Sequence, residues 1–143
     1  MKKKTSLLCL VAISMFIVYN IVFNPYARIS RYVNHNEGNL RASCEFYLEQ
    51  KHVNKADREI DVMGIFEGEH KIVQFSYSGK GIAPASVYYG FYYSPDDVPV
   101  PYCNDDYELN KVSDGKWTWK GEGDNGGEIR KIKDNWYYYE AWF

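Results

Sequence analysis

VYYGFYYSPDDVPVPYC, Val87–Cys103, sets six aromatic residues beside three prolines and closes on a cysteine. Along VYYGFYY a strand would point Val87, Tyr89, Phe91 and Tyr93 one way and Tyr88 and Tyr92 the other, because successive side chains alternate between the faces of a sheet. SPDDVPVP ends that strand, since a run so dense in proline cannot donate to a hydrogen-bonded ladder. Aromatic residues on both faces leave two readings. In one, a curved sheet folds over and buries both sides. In the other, Tyr88, Tyr92 and Tyr102, stiffened by Pro95, Pro99 and Pro101, form an exposed platform for a protein partner or a sugar ring. Gly90 would then leave room for the ligand to approach the backbone.

Composition supports a sheet around this strand. The 143 residues include 14 Tyr, 7 Phe and 4 Trp, and such residues pack well on a pleated surface. Length and apolar content suit one domain. Downstream, YELNKV and KWTWKG flank a hairpin signal at Ser113-Asp114-Gly115, and EIRKI and WYYYEAWF turn at Lys133-Asp134-Asn135. Upstream, EIDVMGIF and KIVQFSY are joined by Glu67-Gly68-Glu69-His70, and GKGIAPAS reads as a loop. Between Asn36 and His52, Leu40, Cys44, Tyr47 and Leu48 recur at helical spacing, with Glu37, Arg41, Glu45 and Glu49 on the other face. The fold expected is α+β: one amphipathic helix on a curved or partly closed antiparallel sheet of about six or seven strands.

The N-terminus sets the compartment. Lys2, Lys3 and Lys4 precede a run, Thr5 to Ala27, without a charged residue, long enough for a membrane-spanning helix. The basic start keeps the N-terminus cytoplasmic and places the rest outside. A cleaved signal peptide is the rival reading, but only Ala27, two positions after Pro25, offers a small residue for a cleavage site. The organisation expected is a basic start and anchor at 1–27, a polar linker at 28–36 and an extracytoplasmic domain at 37–143. In that compartment Cys44 and Cys103 are expected to pair, closing a loop for about 4 kcal/mol; two separate buried thiols are the alternative.

Charge and motifs narrow the function. All 19 acidic residues, and all of the 17 basic ones but the three N-terminal lysines, fall in residues 28–143, so that part carries 14 − 19 = −5. An acidic domain without a basic stripe excludes a nucleic-acid binder. GEGDNG, Gly121–Gly126, has glycine spacing like that of a nucleotide loop, but Glu122 and Asp124 would repel phosphate and EIRKI after it reads as strand. Asp96, Asp97, Asp105 and Asp106 lack the spacing of a calcium loop and suit solvated turns. His35, His52 and His70 are too scattered for zinc, and no serine sits in a nucleophile motif. No cofactor, metal or catalytic residue is assigned. These readings favour a membrane-anchored protein whose exported domain binds an envelope partner, protein or carbohydrate, over a small envelope hydrolase acting on glycan or peptide.

Overall fold

A computed structural model describes residues 13–15, 18–19, 23–50, 61–82 and 85–143. Seven strands form one antiparallel sheet: β1 Asp61–Phe66, β2 Ile72–Ile82, β3 Ala85–Tyr93, β4 Asn110–Ser113, β5 Lys116–Lys120, β6 Gly126–Lys133 and β7 Trp136–Trp142. Their order is β1-β2-β3-β7-β6-β5-β4, so the C-terminal strand lies at the centre and the sheet stays open, with β1 and β4 as edges. Of the two forms expected, curved or partly closed, the closed one is not found.

One helix, α1, Pro25–Gln50, packs on this sheet. It starts where the uncharged run ends. Asn24 caps it, its carbonyl accepting from the Arg28 amide at 3.1 Å and its side chain from the Ala27 amide at 3.4 Å, and Pro25 takes the first helical position, where a missing N–H costs nothing. Residues 28–36, expected as a linker, are therefore helix. Ile29 and Val33 are fully buried, and with Tyr26 they continue the stripe of Leu40, Cys44 and Leu48 toward the N-terminus. Polar neighbours such as Ser30, Arg31, Asn34 and His35 mask that stripe in the sequence.

The sheet is covered on both faces. Toward α1 point Val73 and Phe75 of β2, Phe91 and Tyr93 of β3, and Trp136 and Tyr138 of β7. The rings of Phe75 and Phe91 stack at 4.7 Å. The opposite face carries Ile72, Tyr92, Trp119, Ile129, Tyr137, Tyr139 and Ala141. It is covered by the connection between β3 and β4, residues 94–109, which lays Val100, Tyr102, Tyr107 and Leu109 across it like a strap. Proline stiffness suits a segment that crosses a sheet without joining it.

Two local expectations change. The glycine-rich stretch read as a loop is mostly strand, because β2 runs on to Ile82 and β3 begins at Ala85. Gly81, at φ +112°, permits this close approach, since a Cβ there would overlap the Ala85 carbonyl. YELNKV yields only the short β4, since Tyr107 and Leu109 turn into the strap's apolar layer.

Cys44 and Cys103 are both free, which corrects the expected bridge. Cys44 is buried between α1 and the sheet. Cys103 lies in the strap on the other face, its amide donating to Gln74 Oε1 at 3.1 Å. The sheet stands between them. As for the anchor, no helix among the described residues is long and apolar enough to cross a membrane; much of the run from Thr5 to Ala27 lies outside the described residues.

Candidate functional site

The three tyrosines expected to form a platform do not share a surface. Tyr92 is fully buried: its hydroxyl donates to the Val100 carbonyl at 3.1 Å and accepts from the Val100 amide at 2.9 Å, while its ring stacks on Tyr137 at 5.2 Å. It fastens the strap to the sheet. Tyr102 is half-buried, edge-on to Tyr139 and Phe143, and burial pushes its hydroxyl's pKa up. Tyr88 alone is open, 39 % exposed, its ring 6.0 Å from that of Phe143. Gly90 gives no ligand access, because the Tyr139 ring and the Phe75 carbonyl occupy the space above it and the Tyr139 hydroxyl donates to that carbonyl at 3.1 Å. The strap covers the face on which the platform was expected.

The acids of the strap also have structural work. The Asp97 carboxylate accepts from Lys131 Nζ at 2.6 Å, from the Asn135 amide at 2.8 Å and from the Tyr137 hydroxyl at 2.9 Å. Burial alone would raise its pKa, but these donors outweigh it and hold the group below the ordinary aspartate value. Asp96 lies 3.2 Å from His70 Nδ1. Asp105 and Asp106 line a groove of about 390 Å³ with Glu69, His70, Pro99 and Tyr107. Among the described residues no three His, Cys, Asp or Glu side chains are grouped to hold a metal. Gly121–Gly126 is the turn of the β5–β6 hairpin, its Gly121 amide donating to the Asn125 carbonyl.

A different site remains open, on the α1 side of the sheet. The helix packs on β2, β3 and β7. A cleft of about 280 Å³ opens there between Tyr19, Phe23 and Tyr26 on one side and Tyr89, Arg130, Tyr138 and Glu140 on the other. Each wall has a local cause. Asn24 and Pro25 begin α1 and so turn Tyr26 onto the sheet, where its ring meets Tyr138 edge-on at 5.4 Å and its hydroxyl donates to the Lys131 carbonyl at 3.2 Å. Antiparallel register sets Tyr89 opposite Glu140 and Tyr138 opposite Arg130.

Charge in this cleft is unevenly matched. Glu128, opposite Glu140, is paired with Lys116 at 2.6 Å and with Arg130. Burial would raise its pKa, yet those two cations hold it below the usual carboxylate value. Arg130 also lies over the Tyr26 ring, 5.2 Å from its centre. Glu140 accepts from the Tyr138 hydroxyl at 3.2 Å, and among the described residues no Lys, Arg or His pairs with it. Burial first, and Glu140 next, push the Tyr138 hydroxyl's pKa up, so that it stays a donor.

Neither Glu140 nor Arg130 stands out in the sequence as a site residue. Glu140 did leave a trace: in WYYYEAWF it breaks the apolar series Trp136, Tyr138, Trp142 that strand alternation puts on one face. No protein-family model, curated protein or solved structure matches this chain.

Proposed function

We propose that this chain is a single-pass membrane protein, with Lys2–Lys4 in the cytoplasm and the α+β domain outside, and that the domain binds a partner at the envelope rather than transforming it. The observation that carries the reading is the uncharged run Thr5–Ala27 behind three lysines, near whose end Asn24 caps the domain helix. A domain helix that begins directly after an anchor holds its sheet close to the bilayer surface. The aromatic cleft is lined by residues from both parts, Tyr19 and Phe23 from the run and Tyr89, Arg130, Tyr138 and Glu140 from the sheet. Tyrosine is well suited to such a boundary, with an apolar ring and a polar tip.

Binding is favoured over catalysis by the lining of the cleft. Apart from tyrosines its ionisable groups among the described residues are one carboxylate and one guanidinium, and among those residues neither is set against a serine, cysteine or histidine that it could activate. The test is topological. Full-length protein with a C-terminal epitope should stay in the membrane pellet through alkaline carbonate washing, and protease added outside intact cells should remove the epitope. Release by carbonate, or a mature N-terminus mapped beyond Ala27, would contradict the anchor.

A further inference from the structure

Resting on that anchored reading, we infer that the cleft beside the start of α1 receives the headgroup of an amine-bearing phospholipid, with the ammonium at Glu140 and the phosphate at Arg130. The argument starts from Glu140. Its neighbour Glu128 is matched by Lys116 and Arg130, whereas among the described residues Glu140 has a phenolic donor, Tyr138, and no cation. A carboxylate at the wall of a tyrosine-lined cleft favours a cation, which gains from both the opposite charge and the faces of aromatic rings. The surrounding rings are Tyr19, Phe23, Tyr26, Tyr89 and Tyr138.

A second charge narrows the ligand. Arg130 lines the same cleft, and only its Nε is engaged by Glu128, so the guanidinium keeps terminal N–H groups for an anion. A ligand that offers an ammonium and a phosphate a few bonds apart fits a cleft with one carboxylate and one guanidinium. The third observation points to the source. Tyr19 and Phe23, their rings tilted at 4.9 Å from each other and each 62 % exposed, belong to the uncharged run, so one wall of the cleft is part of the segment read as the anchor. Phosphatidylethanolamine has this chemistry; phosphatidylglycerol has the phosphate without the amine.

The experiment uses full-length protein in detergent micelles doped with equal amounts of short-chain phosphatidylethanolamine and phosphatidylglycerol, with retained lipid counted by native mass spectrometry. Wild type should retain the ethanolamine lipid over the glycerol lipid by about tenfold. Glu140→Gln, which keeps shape and removes charge, should bring the ratio close to one, while Glu122→Gln in the distant β5–β6 turn should leave it unchanged. Circular dichroism of each variant reports whether it folds. If Glu140→Gln does not fold, the wild-type ratio alone decides. Equal retention of both lipids by wild type, or an unchanged ratio in folded Glu140→Gln, overturns the proposal. Carbonate washing of the source membranes reads the anchor separately. Released protein that still prefers the ethanolamine lipid would remove the anchor and keep the site, and pelleted protein without preference would do the reverse.

Discussion

Asn135 is where three parts of the molecule meet. It turns β6 into β7 at φ +68°, its amide donates to Asp97, and its side chain donates to the carbonyls of Ser94 and Pro95 while accepting from Arg41 of α1 at 3.3 Å. Asparagine suits the place because it tolerates the left-handed region and its amide both gives and takes hydrogen bonds. Asn135→Gly should keep the backbone and lose the side-chain bonds, and Asn135→Ala should lose the bonds and strain the turn as well. Urea unfolding is expected to place glycine below wild type by about 2 kcal/mol and alanine about 1 kcal/mol lower again. Gly90 makes the opposite demand, since it must have no side chain at all. A methyl there would meet a backbone carbonyl and the Tyr139 ring, so Gly90→Ala should cost about 2–3 kcal/mol in the same measurement.

At the scale of elements, α1 and the strap are each tied to the sheet by a carboxylate. Glu37 of α1 holds Lys133 and Arg41, and these partners lower its pKa. Asp97 holds the strap to Lys131 and the Asn135 turn. Both groups have folded values below their unfolded ones. Their contribution is therefore complete above the unfolded values, near pH 4, and is lost as pH falls through the lower folded values. Unfolding free energies of wild type and Asp97→Asn should differ at pH 7 and converge below about pH 4; a constant difference would show that the charge of Asp97 does not matter. The first turns of α1 permit a separate test. Ile29 is fully buried against the sheet, so Ile29→Ala should cost about 2–4 kcal/mol, whereas in a linker the change would cost nothing measurable.

Across the whole molecule, the parts legible from sequence were those set by local chemistry. Strand alternation in VYYGFYY, the Gly115 and Asn135 turns and the Leu40–Cys44–Leu48 stripe all depend on near neighbours, and each lies where the pattern put it. What depended on distant partners was hidden. Residues 28–36 read as polar because Ile29, Tyr32 and Val33, which meet the sheet, stand among polar neighbours, and the strap read as a loop because its cover, Val100 to Leu109, matters only once β3 and β7 lie beneath it. The cysteine pairing failed for the same reason, since count and compartment carry no information about which face each thiol occupies. Both thiols should therefore take up iodoacetamide when the oxidised, unreduced protein is unfolded. The cleft was hidden too, because it joins residues from the start of the chain to β3, β6 and β7.

All of this depends on a sheet buried on both faces, which makes Tyr92 and Tyr93 of β3 core. Thermal unfolding of Tyr88→Ser and Tyr92→Ser, measured side by side, tests it most directly. Tyr92 is sealed under the strap and bonded twice to Val100, while Tyr88 is open. Tyr92→Ser should lower the melting temperature by at least about 10 °C, and Tyr88→Ser by no more than about 3 °C. Equal, small shifts for both would mean that the second face of the sheet is not covered.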